Sequence, residues 1–478
     1  MVLNKVKPFH RFFEEISLIP HGSGNEKALS AYLIHFAQTH ALSYKQDELY
    51  NVIIYKSATP GYETHAPIIL QGHMDMVCVK NPNCSFDFEH EPLHLYIENG
   101  WLKAHGTTLG ADDGIAAAYM LSILSASDLS HPPLECVFTV QEETTMAGAF
   151  FLNYADLHST RMIGLDSSGE YTSLRCSSGA LALHATIPFS TSPSRLPQFT
   201  LHIEGLAGGH SGKLHADSNA HHAVLIGLHF LKSLLPLHHT LHLISVQGGD
   251  ADNTIPREAS FSFSTDIPSA TLFRLFNDYF NKLKATLSTS EPALHVTLSM
   301  ITSIQPHLDA VQSNLMIRTL SDMPHGIQTY HPSLADFPDV SLNMGNITTF
   351  ENVVHIHYLI RFFNTEEKEK IYRNILHGIN RLQGQVSQLY AYPCWEQNPD
   401  SKLENVLSHT FESIYHIPLR HKYSPGGTEY GIFSQNIPCL DIVAFGPIRE
   451  NIHTPEEALD IASFDRVYQL LTTLLKNL

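Results

Sequence analysis

Short apolar runs alternate with amphipathic helical patterns from residue 14 to about residue 170 of the sequence. Three of these runs, at 66–70, 134–140 and 162–165, are each followed at once by polar residues. This alternation is typical of βα units around a largely parallel sheet. Because ligands bind beyond the carboxyl ends of strands in open sheets of this class, the polar residues after these runs are the first candidates for a functional site.

The pattern changes after Arg175. Residues 180–187 alternate like an antiparallel strand, and the Pro- and Ser-containing segment 192–198 is typical of a turn. The stretches that follow are strand-like at 198–203, 258–265, 295–300 and 353–360, and helical at 219–235 and 270–287. From residue 401 a helical pattern, an apolar run at 440–445 and a second helical pattern resemble the first region again.

We therefore predict an α/β fold with two domains. Residues 1–184 and 388–478 form an α/β domain with a mixed, largely parallel sheet, and residues 185–387 form an inserted α+β domain. The chain length of 478 residues supports more than one domain, because a single hydrophobic core rarely serves more than about 250–300 residues.

The charge of the chain bears on its partners. Lys and Arg together number 29 and Asp and Glu 47, so the formal net charge is −18. This balance argues against nucleic acid and anionic membrane surfaces, and we expect a small molecule as partner. The chain has six cysteines without a C-x-x-C pair, no signal-like N-terminal segment, and a longest apolar helical stretch (114–124) below the ~20 residues of a membrane span. These features predict a cytoplasmic protein.

Histidine is abundant, with 32 residues. Since a site uses only a few, we interpret most of them as solvated or packed side chains. The pairs His221–His222 and His238–His239 have no acidic neighbours at ligand spacing. We therefore predict that both pairs lie on the surface.

Two pairs of polar residues stand out in the first region. His73 and Asp75, in QGHMDMV, are two residues apart, so in a continuing strand both side chains leave the same face. Asp112 and Asp113, in GTTLGADDGI, lie between a Gly-rich turn and a helix start. The alternatives are two polar residues at a strand end for the first pair, and stabilisation of the positive helix end for the second. A metal-binding role, with a bridging carboxylate, is the more specific interpretation.

Carboxylates also follow the other two apolar runs. Glu142 and Glu143 come after the run at 134–140, and Asp166 comes after the run at 162–165. Two adjacent carboxylates repel each other unless a cation is bound or a raised pKa lets one act as a base. Exposure to solvent is the alternative for Glu142 and Glu143.

His453 lies near the end of the sequence, in ENIHTPEEALD. Thr454, Pro455 and Glu457 match an N-cap, an N1 proline and a capping box, which predicts a helix start beside His453. Each of these features is ordinary by itself. Together, acids or histidines in four successive loops and this last histidine form a site that suits two divalent ions, with zinc the first choice.

Eight segments carry a resemblance to a known family. In chain order they are ISLIPHGSGNE, GHMDMV, GTTLGADDGI, EETTMAGAF, GLAGGHSG, NTIPREA, YPCWEQNPDS and GP…HTPEE. The chain resembles the glutamate-carboxypeptidase-like family of co-catalytic zinc peptidases over nearly its whole length, and within it the aminoacyl-histidine dipeptidase branch. The resemblance implies a zinc-peptidase catalytic domain in the α/β segments and a lid, similar to a dimerisation domain, in the insert.

The resemblance also implies roles for individual residues. The implied metal ligands are His73 and Asp166 for one zinc ion, Glu143 and His453 for the other, and Asp112 as the bridge between them. Glu142 is implied as the general base that takes a proton from a water between the ions, and Asp75 as the group that orients His73. In this family the peptide between Asp112 and Asp113 is expected to be cis.

Substrate contacts are implied in and near the insert. His210, in GGHSG, supports the oxyanion, while Asn253 and Arg361 hold the free carboxylate of the substrate. The alternative for Arg361 is a surface ion pair. Gly427 and Thr428, in SPGGTEYG, are expected to contact the substrate.

Two segments depart from the branch pattern. Where the branch has H-A-G-L-E-C-G, this chain reads SPGGTEYG, with Pro425 at the histidine position. The residues kept in this segment are Gly427, Glu429 and Gly431. YPCWEQ has Cys394 and Gln397 where Gly and Pro are usual. The Pro425 change bears on side-chain specificity more than on hydrolysis.

We therefore expect a dipeptidase with two Zn²⁺ ions, replaceable by Co²⁺ or Mn²⁺. Its expected substrates are unblocked dipeptides, preferably Xaa-His such as β-alanyl-histidine. The expected partners are a small peptide substrate, no nucleic acid and no membrane, and a homodimer is left open. The alternatives are an N-acyl amino acid amidohydrolase of the same fold and a non-catalytic, His-rich metal-binding protein. Glu142 argues against the last one, because it binds no metal in the family pattern.

Overall fold

The chain divides into two compact units. The computed structural model describes residues 2–212, 221–237, 240–331 and 337–478. Unit 1 comprises Met1–Ser177, Trp395–Ser424 and Thr428–Leu478, and unit 2 comprises Ser178–Cys394 and Pro425–Gly427. Most of unit 2 is therefore one long insertion in the sequence of unit 1.

Both units contain α-helices and β-strands. The α-helices are α1 (Pro8–Ser17), α2 (Lys27–Thr39), α3 (Ala111–Ser125), α4 (Ala147–Phe151), α5 (Ala223–Leu234), α6 (Ser269–Leu287), α7 (Ala310–Ser321), α8 (Thr365–Arg381), α9 (Lys402–Tyr415), α10 (Glu429–Asn436) and α11 (Ile461–Asn477). The strands are β1 (Ser43–Gln46), β2 (Val52–Lys56), β3 (Ile68–His73), β4 (Leu95–Glu98), β5 (Trp101–Ala104), β6 (Leu134–Thr139), β7 (Arg161–Gly164), β8 (Thr172–Ser177), β9 (Gly179–Pro188), β10 (Thr191–Ser192), β11 (Gln198–Glu204), β12 (Gly209–His210), β13 (Leu241–Gly248), β14 (Thr254–Ile255), β15 (Ala259–Thr265), β16 (His295–Met300), β17 (His307–Leu308), β18 (Gly326–Tyr330), β19 (Pro338–Phe350), β20 (Val353–Phe362), β21 (Gln385–Tyr392), β22 (Arg420–Ser424), β23 (Asp441–Ala444), β24 (Arg449–Glu450) and β25 (Ala458–Asp460). No helix in the described part of the chain has the length and apolarity that crossing a membrane requires.

The central sheet of unit 1 has eight strands in the order β1-β2-β6-β3-β7-β23-β8-β22. β3 runs parallel to both β6 and β7, and β23 runs parallel to β7. The pairs β1–β2 and β2–β6 are antiparallel. The prediction of a mixed, largely parallel sheet is confirmed.

Apolar side chains cover both faces of this sheet. Ile68 and Leu70 of β3 lie in one core cluster with Ile115 of α3 and Leu471 of α11. Ile69, between them, lies in a second cluster. Alternate residues of a strand point to opposite faces, so a strand covered on both sides must be apolar at nearly every position. The short apolar runs in the sequence therefore mark the centre of the sheet.

Helix α3 delivers the two aspartates to the sheet edge. It is buried from Ala111 to Leu124, as expected for a helix that is apolar on every side. Gly110, directly before it, has a φ of +67°, a conformation that favours glycine. Asp112 and Asp113 lie in the first turn of α3 as predicted, but both have non-helical backbone angles, and the peptide between them is cis.

Unit 2 is built around an antiparallel sheet with the strand order β16-β11-β15-β13-β19-β20-β9-β21, and β18 pairs with β19. Helices α5, α7 and α8 contribute Phe230, Met316 and Ile375 to a single core with this sheet. An antiparallel sheet packed against helices is the α+β architecture that the sequence predicts for the insert.

The sequence-based boundaries fall inside strands of this sheet. The boundary at 184/185 lies within β9 and that at 387/388 within β21, and these two strands pair with each other. The division between the compact units falls instead at 177/178 and 394/395. The catalytic and lid roles given to the two segments remain predictions.

The prediction of a helix that starts at Thr454 is wrong. Residues 454–457 are outside any helix, and α11 begins at Ile461 with Asp460 as its N-cap. The Thr454 hydroxyl donates to the carbonyl of Asn451 at 2.7 Å. The local capping pattern fails because the Glu457 carboxylate accepts hydrogen bonds from a distant segment.

The surface prediction for His222 is also wrong. His222 is buried as the N-cap of α5, where Nδ1 accepts from Leu225 N and Nε2 donates to Met344 O at 2.8 Å. His221 is half-buried. His238 and His239 lie outside the described residues, as do residues 219 and 220 of the predicted helix.

Candidate metal centre

The predicted site residues of the first region meet at one edge of the unit 1 sheet. His73 is the last residue of β3, Glu142 and Glu143 follow β6, and Asp166 follows β7. Because these three strands are adjacent and parallel, their carboxyl ends lie side by side. The positions that the sequence pattern selected are therefore neighbours in space.

Asp112 and His453 join this group from α3 and from the loop between β24 and β25. Asp112 Oδ1 lies 3.3 Å from His73 Nε2, and Asp112 Oδ2 lies 3.5 Å from His453 Nε2. His453 Nε2 is also 3.0 Å from Glu143 Oε1, and His73 Nε2 is 4.0 Å from Asp166 Oδ2. Asp112 thus lies between two histidines, with one oxygen facing each.

Three groups of side chains at this edge have donor atoms within 4.8 Å of one another and could hold a metal ion. They are His73–Asp113–Asp166, Asp112–Glu143–His453 and His73–Glu142–Glu143. Asp113 belongs to the first group, although the family resemblance implies only Asp112 of this pair as a ligand. Imidazole nitrogens and carboxylate oxygens are the ligands that zinc and similar divalent ions take in proteins.

The electrostatics of the site fit a bound cation. Asp113 is completely buried, and neither of its oxygens has a hydrogen-bond partner among the described residues. Burial, together with the charge of Asp166, raises the pKa of Asp113 well above its usual range. Burial also raises the pKa of Glu142, with further contributions from nearby carboxylates. Closely spaced carboxylates of this kind are stabilised by a divalent ion, so the residues present fit a metal centre.

The two histidines of the site have raised pKa values. Burial acts to lower the pKa of His73, but hydrogen bonds with Asp112 and Asp75 raise it by more. Hydrogen bonds with Asp112 and Glu143 raise the pKa of His453 to about 10. A metal ion binds the neutral imidazole, so an ion held by these histidines would compete with their protons.

Asp75 has several partners. The His73 ring Nδ1 lies 2.9 Å from the Asp75 carbonyl oxygen and 3.6 Å from its carboxylate. The same carboxylate accepts from the backbone N–H groups of Glu142 at 3.0 Å and Glu143 at 3.2 Å, and from the Ser23 hydroxyl at 2.7 Å. Asp75 therefore holds the loop that carries the two glutamates in addition to facing His73.

Sequence reasoning missed two buried residues that contact this site. Arg449 donates from Nη1 to Asp112 Oδ1 at 2.9 Å and from Nη2 to Asp166 Oδ1 at 3.1 Å. Glu457 accepts from the backbone N–H of Asp112 at 3.2 Å. Each lies four residues from His453 in the sequence, and this spacing is the one signal that the sequence offered.

Glu429 is another buried carboxyl group near the site. It accepts at Oε2 from the Thr139 hydroxyl and from Gln71 Nε2, both at 2.6 Å. Burial raises the pKa of Glu429 to about 8. Glu429 thus links the start of α10 to β3 and to the end of β6.

Unit 2 brings His210, Asn253 and Arg361 together. Arg361 is buried and donates from Nε to Ser211 Oγ at 3.2 Å and from Nη1 to Pro425 O at 3.0 Å, while Nη2 lies 3.4 Å from His210 Nε2. The Ser211 N–H donates to Asn253 O at 2.7 Å. The alternative of a surface ion pair for Arg361 is therefore wrong.

Gly427 and Thr428 fall in different units. A β-carbon at Gly427 would lie 2.2 Å from the Tyr392 ring, so only glycine allows this approach within unit 2. Thr428 belongs to unit 1, where its hydroxyl lies 2.8 Å from that of Ser177. Their contact with substrate remains a prediction.

Comparisons with known proteins agree on a family. A model of peptidase family M20/M25/M40 matches residues 69–477. The cytosol non-specific dipeptidase of Escherichia coli (strain K12) is 31% identical over 477 residues, which are 99% of this chain and 98% of that protein. Aminoacylhistidine dipeptidase from Vibrio alginolyticus has a crystal structure with a TM-score of 0.90 at 30% identity, covering 98% of this chain and 96% of that chain.

A more distant structure shares the fold. Aminopeptidase PepT from Bacillus cereus ATCC 10987 has a TM-score of 0.62 at 15% identity, covering 99% of each chain. The metallopeptidase resemblance carried by the sequence motifs is confirmed, because the family model covers most of the chain and the Escherichia coli relative matches nearly all of it. The chain belongs to peptidase family M20/M25/M40 and is a hydrolase that acts on peptide bonds.

Proposed function

We propose that this chain is a dipeptidase that hydrolyses unblocked dipeptides, preferably Xaa-His, with two zinc ions. The observation that carries the proposal is the position of Asp112 between His73 and His453, with one carboxylate oxygen facing each. The names of two relatives at 31% and 30% identity support a dipeptidase. One is called non-specific and the other an aminoacylhistidine dipeptidase, so the preference for histidine needs its own test.

Each metal ion has a distinct set of ligands in this proposal. One set is His73 and Asp166, the other is Glu143 and His453, and Asp112 is shared by both. When bound, two divalent ions supply Lewis acidity and lower the pKa of a water molecule toward neutrality. Co²⁺ and Mn²⁺, which accept the same nitrogen and oxygen ligands, are expected to replace Zn²⁺.

Glu142 acts as the general base. Its carboxylate takes a proton from the attacking water and passes that proton to the leaving nitrogen of the peptide bond. Asp75 holds the backbone N–H of Glu142 and so fixes the start of this side chain. In this assignment Asp75 positions Glu142 and Glu143 as well as His73.

In unit 2, the residues His210, Asn253 and Arg361 bind the substrate. Arg361 binds the terminal carboxylate of the dipeptide with Asn253, and His210 donates a hydrogen bond to the developing oxyanion. The guanidinium of Arg361 contacts neutral groups, so its charge suits a carboxylate. Gly427 and Thr428 are each expected to contact the substrate, and Pro425 bears on which C-terminal side chain is accepted.

Four substrates test this function on the chelator-stripped protein, with and without added zinc. They are β-Ala-His, Gly-His, Gly-Leu and N-acetyl-His. Gly-His and Gly-Leu differ only in the C-terminal side chain, whereas N-acetyl-His lacks the free amine. We expect zinc-dependent hydrolysis of both His dipeptides, slower hydrolysis of Gly-Leu, and none of N-acetyl-His.

Each other outcome overturns a defined part of the proposal. Equal rates for Gly-His and Gly-Leu would reject the histidine preference and leave a dipeptidase of broad specificity. Hydrolysis of N-acetyl-His alone would replace the dipeptidase with an N-acyl amino acid amidohydrolase. Zinc binding without hydrolysis of any of the four would favour a non-catalytic metal-binding protein.

A further inference from the structure

Three side chains of one short segment contact Asp112. The segment 449–457 carries Arg449, His453 and Glu457 at intervals of four residues. His453 belongs to the proposed ligand set, whereas Arg449 and Glu457 have no role in it. Both contact Asp112, the residue that the proposed function shares between two metal ions.

Glu457 holds the backbone that carries Asp112. Its side chain accepts three backbone N–H groups, with Oε2 accepting from Leu109 at 2.8 Å and Gly110 at 3.1 Å, and Oε1 from Asp112 at 3.2 Å. Glu457 is only 2% exposed, so these bonds are shielded from water. A buried carboxylate that accepts several N–H groups makes charge-assisted bonds, which are stronger than neutral ones.

The backbone at this point has little freedom to adjust. A β-carbon on Gly110 would lie 2.9 Å from the sulfur of Met76, and Gly110 has a φ of +67°. The turn before α3 is therefore closely packed on one side and bonded to Glu457 on another. Loss of the Glu457 charge would leave its three N–H donors without a charged acceptor in a buried place, which is costly.

Arg449 holds the carboxylate of Asp112. Its two terminal nitrogens bind Oδ1 of Asp112 and Oδ1 of Asp166, and its side chain is only 2% exposed. The second oxygen of each aspartate faces a histidine, since Asp112 Oδ2 is 3.5 Å from His453 Nε2 and Asp166 Oδ2 is 4.0 Å from His73 Nε2. Arg449 therefore fixes the rotation of both carboxylates.

We propose that Glu457 and Arg449 are positioning residues that hold Asp112 between the two groups of metal ligands, Glu457 through its backbone and Arg449 through its carboxylate. This inference rests on the proposed function, in which Asp112 is the shared ligand. Groups that orient metal ligands from outside typically change metal affinity by about 10- to 100-fold when they are removed.

A purely structural role is the competing explanation, and the chain offers matched controls for it. Glu135 is likewise a buried carboxylate of unit 1 that accepts the backbone N–H groups of His158 and Ser159, at 3.0 and 3.2 Å. Arg466, whose side chain is more exposed than that of Arg449, makes the same kind of two-point contact with Glu170, with distances of 2.5 and 2.6 Å. Neither control belongs to a group of candidate ligands.

The experiment measures zinc affinity of the chelator-stripped, full-length protein by competition with a chromophoric chelator. The variants are Glu457→Gln, Arg449→Lys and Arg449→Met, and the controls are Glu135→Gln and Arg466→Met. We expect Glu457→Gln and Arg449→Met to weaken zinc binding about 10- to 100-fold, with both controls within about twofold of wild type. Arg449→Lys restores part of the affinity, because lysine keeps the charge without the planar fork.

Thermal unfolding of the stripped proteins separates positioning from stability. A control variant that lowers the melting temperature as much as Glu457→Gln, yet keeps wild-type zinc affinity, supports positioning. Hydrolysis of Gly-His should show a lower kcat with KM within about twofold in Glu457→Gln. Where Arg449→Met does not fold, Arg449→Lys and Glu457→Gln decide the question.

Two results are distinguishable failures. Wild-type zinc affinity in Glu457→Gln and in Arg449→Lys would overturn the positioning role while leaving the dipeptidase proposal intact. The second result is weaker zinc binding in the Glu457 and Arg449 variants, together with a zinc-loaded wild-type protein that hydrolyses no dipeptide. This result would overturn the proposed function and leave the positioning role intact.

Discussion

The polar clusters of the two units are opposite in charge. In unit 1, Asp112, Asp113 and Asp166 lie close to Arg449 and to the two histidines His73 and His453. In unit 2, Arg361 contacts a serine hydroxyl, a backbone carbonyl and a histidine, all without a negative charge. The unit 1 cluster therefore suits a metal cation, and the cluster around Arg361 in unit 2 suits an anion. Metal-assisted hydrolysis of a free dipeptide requires a site for the metal ion and a site for the terminal carboxylate of the substrate.

Histidines show the same contrast. Hydrogen bonds with carboxylates raise the pKa of His453 in unit 1. Burial and the charge of Arg361 lower the pKa of His210 in unit 2, and burial lowers that of His222 as well. The abundance of histidine in this chain therefore says little about metal binding, and the presence of a carboxylate partner says much more.

The largest expected effect separates two neighbouring glutamates of unit 1. Glu142→Gln should lower kcat for Gly-His about 10²–10⁴-fold, because the substitution removes the general base. The zinc content should remain that of wild type. Glu143→Gln, its matched partner, should lose zinc as well as activity. Steady-state kinetics and metal analysis on the same samples check this. Near wild-type turnover in Glu142→Gln would reject Glu142 as the base.

Removal of one metal ligand should change the number of zinc ions that the carboxylate-rich cluster of unit 1 binds. His453→Ala deletes an imidazole of the group that contains Asp112 and Glu143. Zinc bound after dialysis should fall from two ions per chain to one, because three protein ligands around an ion leave few to spare. Two tightly bound zinc ions in His453→Ala would contradict the assignment.

The proposed binding of the substrate's terminal carboxylate by Arg361 in unit 2 should be tested with a substrate that lacks this carboxylate. Arg361→Met should raise KM for Gly-His about 10- to 100-fold, since a hydrogen bond to a charged group contributes about 1.5–3 kcal/mol. The zinc content should not change. Gly-His amide, which has no terminal carboxylate, should be affected far less. Equal effects on the acid and the amide would show that Arg361 does not bind the carboxylate.

The smallest expected effect concerns the pH dependence of stability. His222 and His325 of unit 2 have ring centroids 4.5 Å apart, and burial lowers the pKa of both, that of His325 to about 4. A histidine whose pKa is lower in the folded chain binds fewer protons there. It favours folding fully above pH ~6.5, and this stability is lost as the pH falls toward 4.

Replacement of His325 checks that sign. In wild type the melting temperature should fall between pH 6.5 and 4, and in His325→Gln the fall should be shallower by about 1–3 kcal/mol in the free energy of unfolding. Exposed His90, whose pKa is raised beside Asp87, provides the control His90→Gln. If His325→Gln and wild type lose stability in parallel, His325 does not titrate as described.

Much of the unit 1 site could be predicted from the sequence. Apolar runs marked the buried strands, and the order of parallel strands in such sheets brings their carboxyl ends together. His73, the pair Glu142–Glu143 and Asp166 therefore emerged as candidates from a local pattern, and the family resemblance implied their separate roles. The start of α3 was equally visible, because a Gly-rich turn precedes an apolar helix.

Other features depend on contacts that a local pattern does not contain. Glu457 matched a capping box with Thr454, yet its carboxylate binds the backbone of Leu109 and Asp112, 348 and 345 residues away in the sequence. No local pattern singled out Arg449, whose partners Asp112 and Asp166 lie 337 and 283 residues away in the sequence. The predicted boundaries at 184/185 and 387/388 lie within β9 and β21, whereas the division into compact units depends on contacts between residues that are distant in the sequence.

Zinc titration of the chelator-stripped protein, with Gly-His hydrolysis followed at each step, tests the central claim most directly. We predict that the stripped protein is inactive and that activity rises with zinc until two ions per chain are bound. Full activity in the stripped protein, or zinc binding that leaves Gly-His intact, would contradict the claim that the carboxylate-rich cluster of unit 1 is a two-metal hydrolytic centre.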